Sequence, residues 1–139
     1  MALAAFAIKA RIAEPQASRY AFAAQKTMYG GKRIAAGDAV FVFASGNEGG
    51  SGLVAKGIVR TAQATPRKIG IERQTPRVGI VVERTAVARR RLGRSELKGF
   101  CDWDDGRPET ELNFKLYRQA TDKIVGIADG TARFLDGFF

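Results

Sequence analysis

The chain has 139 residues, of which 45% are hydrophobic and 27% are charged, and its formal net charge at pH 7 is +9. This length and composition are typical of one globular domain and do not indicate a disordered chain. We therefore predict a single domain over residues 1–139. Sixteen glycines and nine phenylalanines favour a turn-rich, strand-rich fold over a helical bundle.

The positive charge is concentrated in the middle of the sequence. Residues 56–98 carry twelve Lys and Arg against three Glu, whereas residues 99–139 carry five basic residues against eight acidic ones. A dense basic segment attracts polyanions because binding releases their counterions. The distribution favours a nucleic-acid partner over a high isoelectric point that serves solubility alone.

The apolar start of the chain predicts a first β-strand. Phe6, Ile8, Ala10 and Ile12 alternate with other residues at the period of a half-buried strand, and Pro15 ends it. No basic region precedes this run, and it is far shorter than the ~20 apolar residues that cross a membrane. We expect neither a signal peptide nor a membrane span.

Five further strands are predicted along the chain. Their segments are short, rich in β-branched and aromatic residues, and separated by turn residues. They comprise residues 20–24, 39–44, 53–63, 78–88 and 124–127.

Glycine and proline predict the connections. Gly30 and Gly31 indicate a turn, and two Thr-Pro pairs bracket a basic connection at residues 65–76. The glycine-rich segment 45–52 is a loop. It is either a hairpin tip or a phosphate cradle made by backbone amides, although it lacks the Gly-Lys-Ser/Thr of nucleotide-binding loops.

Helical segments are few and short. Residues 94–98 are predicted to form one helical turn, and residues 129–139 a terminal helix that begins at Asp129 or Thr131. Residues 102–111 are predicted to be acidic, polar and irregular. Six strands with one or two short helices, and no βαβ rhythm, predict a mainly β (α+β) fold. A small closed barrel is favoured because closure removes exposed strand edges.

Two adjacent segments resemble a known family. In residues 34–45 a Gly-Asp turn at Gly37 and Asp38 begins a strand with two phenylalanines, and residues 52–59 follow as Gly-Leu-Val-Ala-Lys-Gly-Ile-Val. This two-strand unit resembles the core of the PUA-like superfamily and, within it, the EVE domain.

Later segments resemble the same family in the expected order. Ser-Glu-Leu-Lys at 95–98 is similar to the short segment that follows the middle strand in this family. Leu-Tyr-Arg-Gln at 116–119 is similar to the segment that precedes the family's last strand. Two features depart from the family pattern. The only tryptophan, Trp103, lies in the acidic segment, and residues 121–127 lack the Arg-Leu-Ser-Val run.

The resemblance implies a PUA-like small β-barrel with one or two short peripheral helices. It also implies a pocket that accepts a flipped or single base, often a modified one. Such a pocket stacks the base on aromatic faces and reads its edge with polar groups. The candidates are Tyr20, Phe22, Phe43, Trp103 and Tyr117 as aromatic walls, and Gln25, Ser45, Asn47, Asn113 and Gln119 as edge contacts.

Basic side chains around such a pocket would hold phosphates without reading sequence. The densest cluster is the arginine triple at residues 89–91, which is either a phosphate clamp or a solvated strand end that discourages edge pairing. The phosphate-contact candidates are Arg84, Arg89, Arg90, Arg91, Arg94, Lys98 and Arg118.

Several candidates also have a purely structural explanation. Phe41 and Phe43 lie two residues apart and share one strand face, where core packing is the usual role. Trp103 lies between Asp102 and Asp104, so we expect it near the surface, where it either stacks on a base or caps the core.

The residue types present argue against catalysis. The sequence has no histidine, which excludes Ser-His and Cys-His pairs and histidine-ligated zinc. Cys101 is the only cysteine, so an intramolecular disulfide is excluded, and a reducing cytoplasmic location is expected. We predict no enzymatic activity and no cofactor.

Two other functions stay open. The carboxylates of Asp102, Asp104, Asp105 and Glu109 could seat a metal-dependent nuclease, but their spacing does not match a calcium loop, and we predict no metal site. The acidic and basic segments could instead be complementary patches of a protein-interaction domain. The main prediction is a domain that binds RNA or DNA.

Overall fold

Six β-strands close into a barrel in the computed structural model of the chain, which describes residues 5–46 and 50–139. The strands are β1 (Ala5–Ala10), β2 (Arg19–Met28), β3 (Ala39–Ala44), β4 (Gly52–Ala64), β5 (Arg77–Val87) and β6 (Lys123–Ile127). Their order around the barrel is β1-β3-β4-β5-β2-β6, and β6 pairs with β1 to complete the ring. The β1–β3 and β2–β6 pairs are parallel, whereas the other four are antiparallel.

The predicted mainly β barrel is confirmed, with two strand boundaries that differ by more than one residue. β1 ends at Ala10, two residues before the last alternating residue, Ile12, whose side chain still packs against the buried core. β2 continues four residues beyond the predicted end, to Met28.

A β-bulge explains the longer β2. The register of β2 against β5 shifts between Phe22 and Gln25, and Ala24 adopts a φ of 47°. A bulge bends a strand and increases its twist. After the bend, Thr27 and Met28 pair with β6, so one strand joins both neighbours and closes the barrel.

Two apolar clusters lie on opposite faces of the barrel wall. β1 and most of β3 are buried on both faces, which explains their continuous apolar sequences. Ile8 and Val42 lie in the cluster that fills the barrel interior. Ala7, Phe41 and Phe43 lie in the second cluster, outside the wall and beneath the helices.

Short helices cover the outer cluster. They are α1 (Arg94–Leu97), α2 (Pro108–Leu112) and α3 (Asp129–Asp136), and a 3₁₀ turn, Gly31–Arg33, follows β2. Leu97, Leu112 and Leu135 anchor the three helices with no exposed surface. In the described part of the chain, none of the helices combines the length and apolar character needed to cross a bilayer.

The structure has more helix than the sequence predicted. The prediction that residues 102–111 are irregular is wrong for the last of these residues. α2 begins at Pro108 and continues into a π-helical turn, Asn113–Tyr117. Proline at the first helical position was the missed signal. The caps predicted for the last helix are also wrong, because its N-cap residue is Ala128.

Gly52, the first residue of β4, is packed too closely for any side chain. Its φ is +81°, and an added Cβ would lie 2.3 Å from the carbonyl oxygen of Leu92. We expect Gly52→Ala to lower the free energy of unfolding by about 3 kcal/mol, because both the backbone conformation and the clash oppose it. Urea denaturation measures this loss.

Gly106→Ala is the matched control for that substitution. Gly106 also has a positive φ, of +73°, but an added Cβ would meet none of the described atoms within 4 Å. We expect a loss of about 1 kcal/mol, from backbone strain alone. Equal losses in the two variants would show that the contact with Leu92 is not what constrains Gly52.

Candidate nucleic-acid interface

A cavity of about 770 Å³ opens where several strand ends meet. Lys9 and Arg11 reach it from the end of β1, Gln25 and Lys26 from the bulged part of β2, and Arg77 from the start of β5. The loop after β3, α1, the end of the π-helical turn and the segment before β6 complete the wall. The remaining lining residues are Ala24 of β2, Ser45 and Gly46 of the loop after β3, Arg94 of α1, Tyr117 of the π-helical turn, and Arg118, Ala120, Thr121 and Asp122 before β6.

This cavity is strongly basic. Six of its lining residues carry a positive charge, and one, Asp122, carries a negative charge. Only Arg77 and Arg94 come from the basic middle of the sequence, and the other cations come from both flanking thirds. A concave surface lined by one sign of charge concentrates the field and attracts ligands of the opposite sign.

Two lysine side chains are buried beside the cavity. Lys9 on β1 faces Lys123 on β6 in register, and 3% and 2% of their surfaces are exposed. Both Nζ atoms donate to the carbonyl oxygen of Gln119, at 3.4 and 3.3 Å, and Lys123 Nζ donates to that of Thr121 at 3.1 Å. In residues 5–46 and 50–139, no carboxylate oxygen lies within 4.0 Å of either Nζ.

Burial lowers the pKa of both lysines. Burial, and then the neighbouring charge of Lys9, lower the pKa of Lys123 to about 8, while Asp122 opposes the shift. Burial also lowers the pKa of Lys9, again against the effect of Asp122. Buried charges normally have a partner of opposite charge, so this pair indicates a site for an anionic or electron-rich ligand group.

Tyr117 forms an aromatic part of the wall. Its ring lies edge-on to Phe43, with centroids 6.5 Å apart, and Lys9 Nζ lies 5.4 Å from its centroid. The buried hydroxyl has no hydrogen-bond partner among the described residues, and burial raises the pKa of Tyr117 well above its usual range. The π-helical turn sets this geometry: Arg118 N donates to the carbonyl of Asn113, five residues back.

Several of the sequence-predicted residues meet at this cavity. Gln25, Ser45 and Tyr117 line it, together with Arg94 and Arg118 from the phosphate-contact candidates. The hydroxyl of Ser45 donates to Asp122 at 3.1 Å. Gln119 contributes its backbone carbonyl to the two lysines, while its side chain is exposed.

Other pocket candidates lie elsewhere. Tyr20 and Phe22 stack in the barrel interior, where the Tyr20 hydroxyl donates to the carbonyl of Pro15 at 2.7 Å. Phe43 has no exposed surface and packs beneath the helices, as the core-packing alternative expected. Asn113 is buried and donates to the carbonyl of Phe100 at 3.1 Å. The fifth candidate, Asn47, lies outside the described residues.

Trp103 lies near the surface, as expected, away from the cavity. It is 42% exposed, and its ring meets Phe114 edge-on at 5.4 Å between centroids. Arg118 links the two regions, because its guanidinium lies 4.3 Å above the Phe114 ring while the residue also lines the cavity.

The remaining phosphate-contact candidates make contacts within the chain or stay exposed. Arg84 donates to the carbonyl of Gln16 at 2.7 Å. Arg90 stacks on Phe138, with its guanidinium 4.2 Å from the ring centroid, and Arg91 pairs with Glu96 at 3.4 Å. The side chains of Arg89 and Lys98 are exposed.

Asp105 of the acidic segment supports the start of α2. Asp105 accepts hydrogen bonds from the backbone N–H of Arg107 at 2.9 Å and from the Thr110 hydroxyl at 3.0 Å, at the start of α2. The Arg107 hydrogen bond, the largest cause, lowers the pKa of Asp105. No group of three or more potential metal-ligating side chains occurs in the ranges 5–46 and 50–139.

Sequence reasoning missed the two buried lysines, Lys9 in the cavity wall and Lys123 beside it. A lysine in an otherwise apolar strand was the available signal, because such a residue faces either solvent or a buried polar site. Asp122 precedes the last strand and was also overlooked. Their proximity depends on strand pairing across most of the chain, which spacing in the sequence does not show.

Neither a family model nor a curated protein matches the sequence. The chain is similar to the solved structure of human THYN1 protein in complex with DNA containing 5-methylcytosine, at 11% identity and a TM-score of 0.61, over 94% of each chain. It is also similar to a hypothetical protein from Leishmania major, at 12% identity and a TM-score of 0.60, over 98% of this chain and 94% of that one. A Rhodopseudomonas palustris protein matches at 14% identity and a TM-score of 0.59, over 98% of this chain and 92% of that one. The chain therefore shares the fold of these solved structures, a small closed β-barrel of the kind that its sequence resemblance to PUA-like proteins implied.

Proposed function

We propose that this chain binds nucleic acid at the basic cavity and catalyses no reaction there. The observation that carries the proposal is the buried pair Lys9 and Lys123, at a cavity lined by six cationic residues. Within the described residues, no carboxylate oxygen lies within 4.0 Å of either Nζ. Burying such charges opposes folding. A polyanionic ligand supplies negative charge beyond that of Asp122, the one acidic residue in the cavity wall.

The rim and the interior of the cavity would bind different parts of the nucleic acid. Arg11, Lys26 and Arg77 are suited to phosphates, because they are charged and at least partly exposed. The whole cavity, at about 770 Å³, lies within the ~300–1,000 Å³ typical of ligand pockets, and its interior would admit one base. The fold shared with human THYN1, whose solved structure is a complex with DNA containing 5-methylcytosine, supports a nucleic-acid ligand.

Cytosine, with or without a 5-methyl group, is the base that we propose for this cavity. Its exocyclic amino group donates hydrogen bonds, and the carboxylate of Asp122 can accept one. Its ring acceptors suit an ammonium donor such as Lys9, and Tyr117 offers an aromatic edge.

Fluorescence polarisation with labelled oligonucleotides tests the proposal. The panel contains one sequence as duplex DNA, single-stranded DNA and RNA, each with cytosine or 5-methylcytosine, over a salt series from about 50 to 200 mM. We expect binding that weakens steeply with salt and is strongest for one cytosine form. Lys9→Met should weaken it, whereas Arg60→Ala, a surface residue paired with Glu83 at 3.2 Å, should not.

The other outcomes separate the competing functions. If the wild-type chain binds none of these oligonucleotides at low salt, the proposal is wrong, and a protein-interaction domain becomes the better explanation of its charge. If magnesium-dependent cleavage appears and is lost in Asp104→Asn, the acidic segment is a nuclease site.

Binding is expected to weaken as the pH rises through about 8. Lys123 is charged below its folded-state pKa of about 8 and neutral above it, and it titrates together with Lys9. The negative charge of the bound nucleic acid favours the charged form, so the midpoint in the complex lies above that of the free chain. The Kd should be measured from about pH 6.5 to 9.5, around the midpoint. Lys123→Met should flatten the profile, and an unchanged profile would assign the pH dependence to other groups.

A further inference from the structure

The connection between β4 and β5, residues 65–76, is an ordered basic arm. Its base is closed by Thr65 N, which donates to the carbonyl of Arg77 at 2.8 Å. Gln74 spans the arm, since its side chain accepts from Lys68 N at 2.9 Å and donates to the carbonyls of Lys68 and Ile71 at 2.8 and 2.7 Å. These bonds fix the shape of the arm before any partner binds, and we call residues 65–76 the β4–β5 arm.

The tip of the β4–β5 arm presents an apolar side chain to solvent. Ile69 is fully exposed and Ile71 is 49% exposed, on either side of Gly70, whose φ of +85° turns the chain. Three cations, Arg67, Lys68 and Arg73, surround them in sequence, against the single acid Glu72. An exposed isoleucine on a rigid, cationic tip suits a partner with anionic edges and an apolar, stacked interior.

The β4–β5 arm adjoins the proposed binding site. A second cavity, of about 500 Å³, lies at its base and is lined by Arg67, Lys68 and Ile71 of the arm. Lys26 and Arg77 line this second cavity and the first one as well. The cationic surface is therefore continuous from the main cavity to the arm.

We propose that the β4–β5 arm inserts Ile69 into the base stack of a DNA duplex bound at the main cavity. This inference rests on the nucleic-acid function proposed above. Proteins that bend or open duplexes insert apolar side chains between base steps from the minor groove, while flanking cations hold the phosphates. Inserted there, Ile69 occupies the space beside a base that has left the stack, so the arm and the cavity act on the same site.

The expected partner is duplex DNA because single strands lack a continuous stack for the wedge to enter. The test compares wild type and Ile69→Ala on one cytosine-containing sequence, as a duplex and as a single strand. A 2-aminopurine next to the target cytosine reports unstacking by its fluorescence. Val87→Ala is the matched control, because Val87 is 47% exposed on β5 and lines none of the described cavities.

Ile69→Ala should bind the duplex about tenfold more weakly, should bind the single strand unchanged, and should lose the 2-aminopurine signal that wild type gives. Val87→Ala should behave as wild type. A wild-type complex without a 2-aminopurine signal, or an equal change of affinity for both DNA forms in Ile69→Ala, overturns the wedge and leaves nucleic-acid binding intact. A wild-type chain that binds neither form overturns the proposed function itself.

Discussion

Lys123→Met is expected to stabilise the fold and to weaken nucleic-acid binding at the same time. In the folded chain the pKa of Lys123 is about 8 against an ordinary value of 10.5, so its charge opposes folding at pH 7. Methionine carries no charge, but it leaves the carbonyl oxygens of Gln119 and Thr121 without this donor. We therefore expect the free energy of unfolding to rise by a net amount of about 1–2 kcal/mol. Removing a buried positive charge from the site should raise the Kd about 30-fold or more.

The pH dependence gives that prediction a second readout. Below about pH 8, Lys123 is charged in both the folded and the unfolded chain, and wild type carries the full cost of burying it. Between about 8 and 10.5 the folded chain has already released this proton while the unfolded chain retains it, so wild type gains stability as the pH rises. The advantage of Lys123→Met, measured by urea denaturation, should shrink over this interval.

Lys115→Met provides the control. Lys115 is also partly buried, but it pairs with Glu111 at 2.6 Å and donates to the carbonyl of Gly126 at 2.7 Å. Its loss should lower the free energy of unfolding and leave binding unchanged. Neither Lys115 nor its partners Glu111 and Gly126 line the main cavity, whereas Lys123 donates to Thr121 in the cavity wall. A Lys123→Met chain that is less stable than wild type at pH 7 would contradict the assignment of Lys123 as a strained functional charge.

The double variant Arg11→Ala and Arg77→Ala is expected to bind nucleic acid about 30-fold more weakly at low salt. Both residues lie on the cavity rim, are exposed, and can reach phosphates. Each arginine that neutralises a phosphate adds about 1 to the slope of log K against log salt, so the slope of the double variant should be smaller by about 2. Binding over a salt series measures both quantities.

A second double variant removes the same net charge away from the cavity. Arg60 pairs with Glu83 on the barrel surface, Arg133 lies exposed on α3, and neither lines a described cavity. Replacing both by Ala should change the salt slope by much less than 1. If the two double variants weaken binding equally, overall charge governs association and the cavity is not the binding site.

The strand pattern was predictable because apolar alternation and glycine turns are local properties. All six strands were found, and the largest error was β2, where the bulge at Ala24 hides the continuation of the strand to Met28. The helical segment from Pro108 to Tyr117 was missed because its acidic start resembles a loop. What makes it a helix is burial of Leu112 and Leu116 against the outside of the barrel.

The two faces of the buried strands could not be told apart from the sequence. A strand that is buried on both sides shows an unbroken apolar run, so alternation no longer indicates which face is which. Phe43 was consequently a candidate for a binding pocket, although it packs beneath the helices. Tyr20 and Phe22 likewise face the barrel interior.

By itself, the sequence determined the class of fold, the excess of positive charge, and the absence of histidine-dependent chemistry, because these follow from composition and short-range pattern. Only the tertiary structure decided where the charge converges. Lys9 and Lys123 lie at opposite ends of the chain, and antiparallel pairing of β1 with β6 brings them side by side. Closure of the barrel then brings cations from every third of the chain around one cavity. The spacing of these residues along the sequence does not indicate this, because strands that pair can lie far apart in the sequence.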